Sequence, residues 1–534
     1  MVARGKKPAR KTEPAHSLLY EPDKLPEVVS IPDAETLLDT IASAKEYPFN
    51  ERQRAAFSAA FTKRLSLVWG PPGTGKTTVM AGIVLGYLVR ASVTGKPVRI
   101  GVGASNYNAL DKVLVEAVKL YERYVSSTTR LKIPATFIRV RSSHTQPLGD
   151  ERIADLPRDA PDASHLAQNL ESSPTSLVVG GTWMQLGKLC QTHTERKQPV
   201  AEWFDLLIID EASQMDTGAA GAYFLLLAQD GHVVLAGDHK QLGPIYGFDM
   251  QETKDGLLDC IFSYMQETHE LEPIALTDNY RNNEEIASYP RTRFYPEGLL
   301  AKNPARRLAL TLPVFTGTPS GWSSDLPWTE EYLRILDPNS PVVVIAYGAG
   351  SYTLSNSFEA QTVAAVAALY RRLRAEQHPP LDENDFWDER LGIMTPHRAQ
   401  MAGIRNNMFE RAGFSMKPPP VVDTVDRFQG QERDLIIASY TVADPDFVGS
   451  EDEFILSPRR FNVTLTRARS KFIMMISDAI TQYLPADKDI AEDAAHIQLF
   501  VEEYCSNIRE VTLPFIDTDG VLKHVPCSLR TSPS

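Results

Sequence analysis

The chain has 534 residues, 43% of them hydrophobic and 23% charged, with a formal net charge of −13. That length exceeds one hydrophobic core, so two to four domains of ordinary globular composition are expected. No uninterrupted apolar run approaches the about 20 residues that span a bilayer, the basic start at 1–11 lacks the apolar centre of a secretory signal, and the acidic balance argues against broad adhesion to nucleic acid while leaving room for a local basic channel.

In chain order, residues 1–48 read as a tail and lead-in, rich in Lys, Arg and Pro and expected to be disordered as far as residue 18. Apolar runs at 65–69, 98–102, 177–179, 206–209 and 233–236 then alternate with helical stretches. They read as buried parallel strands of a doubly wound α/β domain. A connection near 267–275 leads to a second series at 342–346, 391–394, 421–423, 435–438 and 472–476, hence a second α/β domain. Two stretches break the alternation. Residues 126–176 are polar and poor in strand signal, and read as an insertion in the first domain. Residues 301–339, with Trp322 and Trp328 among many Pro and Gly, read as a long surface connection. Residues 481–534 read as a packing helix followed by a loose tail. Cys190, Cys260, Cys505 and Cys527 are scattered without a C-x-x-C pair. Neither a zinc site nor a disulfide framework is expected, and a reducing, cytoplasmic setting fits.

Gly70-Pro71-Pro72-Gly73-Thr74-Gly75-Lys76-Thr77 fits G-x-x-x-x-G-K-[ST] between an apolar run and a helical one, the context this motif requires. Glycines let backbone N–H groups wrap phosphates, and the helix N-terminus adds positive potential. Lys76 is placed to reach the β- and γ-phosphates, and Thr77 to ligate Mg²⁺. Asp210 and Glu211 end the run 206–209. A carboxylate there suits a second Mg²⁺ contact, and its neighbour suits polarising the attacking water. Two acids after a strand also suit a helix cap, but beside a P-loop the catalytic reading is preferred. Gly237-Asp238-His239-Lys240-Gln241 follows another strand, and Gln241 suits sensing of the γ-phosphate as well as it suits a capped loop. Arg281 and Arg467, the latter about 390 residues beyond the P-loop, suit transition-state charge stabilisation. Each alone suits a surface ion pair equally.

In order along the chain these words continue with Phe49-Asn50-Glu51-Arg52-Gln53, Ala104-Ser105-Asn106, Asp210-Glu211-Ala212-Ser213-Gln214, the word from Leu235 to Pro244, and Tyr280-Arg281. Thr395-Pro396-His397-Arg398-Ala399-Gln400, Thr424-Val425-Asp426-Arg427-Phe428-Gln429-Gly430-Gln431-Glu432 and Asn462-Val463-Thr464-Leu465-Thr466-Arg467-Ala468-Arg469 complete the series. It resembles the superfamily 1 type B helicases, in the up-frameshift, senataxin and immunoglobulin-mu-binding-protein group. The resemblance implies two tandem RecA-like P-loop NTPase domains, 49–267 with its insertion and 268–480. It places ATP and Mg²⁺ in the cleft between them and a single strand of DNA or RNA across their top, moved 5′ to 3′. It further implies nucleotide contacts from Gly70, Gly73, Thr74, Gly75, Lys76, Thr77 and Thr78. Gln53 is implied on the adenine edge, Tyr280 stacked on the base, and Glu432 on the ribose. Arg281, Arg467 and Gln241 are implied at the γ-phosphate, and Thr77 and Asp210 on the metal. Ser105, Asn106, Thr182, Thr395, Arg398 and Thr424 are implied along the nucleic-acid track, where small hydroxyl and amide groups fit phosphate and sugar.

The chain departs from larger relatives in lacking a Cys/His-rich module. The stretch before Gln53 is also too short for the β-barrel that commonly precedes the first motor domain. The expectation is a stripped-down, monomeric motor. The alternative is an ATP-gated clamp on nucleic acid that does not step. Lys119, Arg123, Arg130, Lys132, Arg139 and Arg141 cluster in and before 126–176. They are expected either to funnel the strand or to form a solvated face with local ion pairs.

Overall fold

The computed structural model describes residues 14–25, 34–42, 48–127, 133–160, 162, 166, 173–194, 203–244, 260–296, 298–315 and 317–533. They divide into two compact units, Met1–His239 with Gly243–Thr277, and Lys240–Leu242 with Asp278–Ser534.

The first unit is a parallel sheet clad in helices. Its strands are β1 (Leu65–Trp69), β2 (Arg99–Ala104), β3 (Ala135–Arg141), β4 (Ile153–Pro157), β5 (Ser176–Gly180), β6 (Phe204–Asp210), β7 (Leu227–Gly237) and β8 (Ile274–Ala275). Their order is β4-β3-β5-β2-β6-β7-β1-β8, and every pairing is parallel. Central strands such as β1 are buried along their whole length, so they read as unbroken apolar runs. Helices Glu51–Thr62, Lys76–Thr94 and Tyr107–Ser127 cover them, packing Phe57, Phe61, Ile83, Leu110 and Leu114 into one core with Val68, Val102 and Ile208. The Lys76–Thr94 helix is long and apolar enough to cross a membrane by length and composition, although no continuous apolar run of that length shows in the sequence. Here it is the core helix behind the P-loop, and most of its residues are buried.

The second unit holds β9 (Asp278–Asn279) and β10 (Leu300–Ala301) as a small parallel pair. Its main sheet comprises β11 (Val342–Tyr347), β12 (Leu391–Met394), β13 (Val422–Asp423), β14 (Arg433–Ser439), β15 (Ala468–Ser477), β16 (Asn507–Ile516) and β17 (Leu522–Thr531), in the order β13-β12-β14-β15-β11-β17-β16. The four pairings among β11 to β15 are parallel, whereas β17 joins β11, and β16 joins β17, antiparallel.

Four expectations need correction. Residues 126–176 are not a strand-poor insertion, because β3 and β4 extend the main sheet. Residues 481–534 do not end in a loose tail. After the Lys488–Leu499 helix the β16–β17 hairpin buries Leu513, Phe515, Cys527 and Leu529 in the second unit's core. Residues 301–339 are more than a surface connection: Leu308, Leu326, Tyr332 and Ile335 join the same core, with Trp322 and Trp328 packed against it. The segment expected to be disordered to residue 18 closes in a helix, Pro14–Tyr20, with Leu18 buried; residues 1–13 lie outside the described residues.

Candidate active site

All strands of the first sheet run the same way, so the loops after β1, β7, β6, β2 and β5 emerge along one edge, where parallel α/β sheets bind their ligands. The P-loop follows β1. Gly70 N–H donates to Gly237 O at 3.0 Å, tying the loop to the end of β7. A Cβ on Gly70 would stand 2.0 Å from Lys76 Cγ, and Gly75 adopts φ +84° with Gln53 Nε2 2.8 Å from where its Cβ would be. The loop is thus a cradle that side chains would fill. Thr74 Oγ1 donates to Pro71 O at 2.7 Å, fixing its curvature. The Lys76–Thr94 helix starts at the end of the cradle, with Thr77 and Thr78 in its first turn.

Gln53 braces this loop. In a capping box its backbone N–H donates to Asn50 Oδ1 (2.8 Å) and its Oε1 accepts from Asn50 N (3.2 Å), while Nε2 donates to Thr74 O (3.1 Å). Both ends of the amide are therefore taken, and reading an adenine would replace one of these bonds.

Asp210 closes β6, buried, its Oδ1 accepting from Glu211 N at 2.9 Å. Burial, then the charge of Glu211, pushes its carboxyl up, opposed by Lys76. Glu211 sits in the left-handed region at φ +50°, an uncommon conformation for a non-glycine residue. Its Oε2 lies 3.7 Å from Lys76 Nζ. Asp238, fully buried after β7, accepts from Trp69 Nε1 at 3.1 Å and its N–H donates to Ser213 Oγ at 3.2 Å. Three carboxylates, a lysine and a phosphate cradle thus converge at one edge. A buried carboxylate at the end of β6 and a threonine hydroxyl in the first turn of the Lys76–Thr94 helix are hard-oxygen donors of the kind that fits Mg²⁺.

Farther along the same edge, Ser105 and Asn106 follow β2, and Thr182 follows its neighbour β5. Asn106 is exposed, whereas Thr182 is buried. The basic cluster is not a funnel as a whole. Arg139, 2% exposed, is clamped by both oxygens of Asp111 (2.6 and 2.9 Å) and by Asp155 (3.2 Å), and Arg141 pairs with Asp155 at 3.1 Å. Lys119 and Arg123 line an open groove with Arg152 at the far end of the Tyr107–Ser127 helix. Arg130 and Lys132 lie outside the described residues.

In the second unit Arg281 Nε pairs with Glu432, and its Nη1 donates to Thr466 O at 3.2 Å. Asn279 Oδ1 accepts from the Arg281 backbone at 2.9 Å. Arg467, buried, donates from Nη2 to Gln241 Oε1 at 2.9 Å and from Nε to Val463 O at 3.1 Å. Tyr280 is 40% exposed beside them. The sequence-derived Arg281, Glu432, Arg467 and Gln241 are thus brought together as two pairs. Thr395 and Arg398 follow β12, and Thr424 follows the adjacent β13. Arg398 is exposed; Thr395 is buried with its hydroxyl 3.0 Å from that of Thr441.

Two family models, each described as an AAA domain, match residues 53–248 and 257–479. Among curated proteins the chain is 26% identical over 469 residues to the DNA replication ATP-dependent helicase/nuclease DNA2 of Mus musculus, covering 84% of this chain and 38% of that protein. It is 25% identical over 509 residues to Regulator of nonsense transcripts 1 of Dictyostelium discoideum, covering 93% and 35%. It is 23% identical over 497 residues to DNA polymerase alpha-associated DNA helicase A of Saccharomyces cerevisiae, covering 84% and 68%. Each half of the chain thus matches an AAA domain, and two of the three curated relatives named above, each about a quarter identical to it, are helicases by name.

The chain spans little more than a third of the length of the first two of those relatives. Its two AAA-like domains carry residues that the motif reading passed over. Asn282 Nδ2 donates to Thr466 O at 3.2 Å and Ala468 O at 2.5 Å, holding the segment around Arg467. Glu359, fully buried, accepts from Tyr347 (2.6 Å), Ser439 (2.5 Å) and the backbone of Thr441 (2.9 Å). That places it under the loop ends of β11 and β14. An acid at the head of the apolar first half of the Ser357–Gln377 helix was the available signal.

Proposed function

We propose that this chain is a helicase motor: an ATPase stimulated by single-stranded DNA or RNA, which converts ATP hydrolysis into 5′-to-3′ translocation as a monomer. The observation that carries the reading is the convergence of the P-loop, Asp210, Glu211 and the Ser105–Asn106 turn along one edge of one parallel sheet. ATP phosphates lie in the cradle of Gly70, Gly73, Thr74 and Gly75, with Lys76 against the β- and γ-phosphates. Thr77 and Asp210 hold Mg²⁺, which supplies charge neutralisation on the phosphates when bound. Glu211 then leaves Lys76, accepts a proton from the attacking water and orients it. Arg281, Arg467 and Gln241 meet the γ-phosphate in the closed state, and closing and opening change the spacing of the contacts on the strand. Tyr280 stacks on the base and Glu432 serves the ribose. Ser105, Asn106 and Thr182 hold the strand on the first unit, and Thr395, Arg398 and Thr424 on the second.

The test is the steady-state ATPase rate alone, with poly-deoxythymidine and with poly-uridine. Stimulation by either polymer, abolished in Lys76→Ala, is expected; absence of stimulation by both defeats the reading. Displacement of an annealed strand separates stepping from clamping.

A further inference from the structure

A chain of side-chain hydrogen bonds runs from the exposed turn after β2 to the P-loop, and Gln214 is its middle link. Asn106 Nδ2 donates to Ser105 Oγ at 3.2 Å, and Ser105 Oγ donates to Gln214 Oε1 at 3.3 Å. Gln214 Nε2 donates to Glu211 Oε2 at 3.3 Å, and this same oxygen faces Lys76 Nζ at 3.7 Å.

The backbone explains why the link reaches both ways. Glu211, at φ +50°, caps the short 3₁₀ turn Ala212–Gln214, and Gln214 N–H donates to Glu211 O at 2.9 Å. The turn folds the chain back so that the side chains of Glu211 and Gln214, three residues apart, meet at 3.3 Å. A primary amide is also the group this position needs, since it accepts from a hydroxyl and donates to a carboxylate at once. A glutamate here would face Glu211 with a like charge, and an asparagine is one methylene short.

We propose that Gln214 is the positioning residue through which a strand bound at Ser105 and Asn106 controls Glu211; this rests on the reading of those two residues as strand contacts. Without a strand, the amide is anchored by Ser105 and keeps a donor fixed on Glu211 Oε2, the oxygen needed to take a proton from water. A phosphate oxygen accepting from the Ser105 hydroxyl withdraws it from Gln214 Oε1. The amide loses one of its two anchors, and Glu211 is released toward the water. Strand binding is thereby converted into a change in the orientation of one carboxylate, without displacement of the main chain.

The experiment measures the ratio of strand-stimulated to basal ATPase in Gln214→Ala and Gln214→Asn, with poly-deoxythymidine as the strand. In parallel, the Kd of a labelled oligo-deoxythymidine is read by fluorescence anisotropy. The ratio is expected to fall about fivefold or more in both variants, while Kd stays within about twofold of wild type. Combining Ser105→Ala with Gln214→Ala is expected to lower the ratio no further than the more severe single change, because both cut one chain. A wild-type ratio in either Gln214 variant overturns the proposal, and so does a loss of strand affinity in both, which would make Gln214 part of the grip. A wild-type protein that no strand stimulates defeats the strand reading itself, and the coupling with it.

Discussion

Lys76 and Glu211 occupy each other at 3.7 Å, and each is expected to fail differently when altered. Lys76→Ala removes the charge aimed at the phosphates and is expected to abolish nucleotide binding, as read with a fluorescent ATP analogue. Glu211→Gln keeps the shape but cannot accept a proton. It is expected to bind ATP near wild-type strength and hydrolyse it at least about 100-fold more slowly; unaltered turnover would remove Glu211 from the chemistry. A second carboxylate makes a prediction about stability. Burial pushes the Glu359 carboxyl up from its ordinary 4.5 to about 7, although three donors oppose the shift. Its folded form therefore holds a proton between pH 4.5 and 7 that the unfolded chain has released. The stabilisation is full below pH 4.5 and is lost as pH rises through about 7, a change of about 3 kcal/mol. Urea unfolding at pH 5 and pH 7.5 is expected to show wild type losing about that much relative to Glu359→Gln; parallel behaviour of the two proteins would disprove it.

At the scale of elements, the strands that sequence reading found are those buried on both faces. β1, β6 and β14 are apolar runs because helices cover both sides of a parallel sheet. The strands it missed carry charge or proline. Arg139 and Arg141 sit inside β3, neutralised by Asp111 and Asp155, so the run reads as polar although its centre is buried. β16 and β17 mix Arg509, Glu510, Pro514, Lys523 and Pro526 with apolar residues on one face, and proline argues against a strand interior. The P-loop was legible because its glycines are fixed by contact with phosphate chemistry. The bracing role of Gln53 was not, since a capping box and an adenine reader look alike in sequence. Because the hairpin is core rather than tail, Leu513→Ala is expected to destabilise the second unit by about 3 kcal/mol in thermal or urea melts. A loss below about 0.5 kcal/mol would return the segment to the surface. Asn50→Ala is expected to cost about 1 kcal/mol through the lost cap of the Glu51–Thr62 helix.

At the scale of the whole molecule, an acidic chain is proposed to hold a polyanion. The six residues assigned to the track include one cation, Arg398, and Arg139 and Arg141 are consumed internally. Single-strand binding is therefore expected to depend weakly on salt, with log Kobs against log salt sloping no more steeply than about −2, at roughly −0.7 for each phosphate neutralised. Arg398→Ala is expected to flatten that slope by about 0.7, and a wild-type slope near −5 would reveal a basic surface outside the assigned track.

The antiparallel hairpin also sets a timetable for the second unit. β11 lies between β15 and β17, and its residue Val343 is paired in register with Thr531. During synthesis, at about 5–20 residues per second, β11 emerges roughly 10–35 s before its β17 partner exists. Through that interval an all-buried Val-Val-Val-Ile ribbon has bare edges on both sides, the condition under which nascent strands pair with the wrong neighbour. The chain thus has a window of vulnerability in its making that lies far from its P-loop, and a chaperone that shields β11 would act before the second unit's sheet is complete.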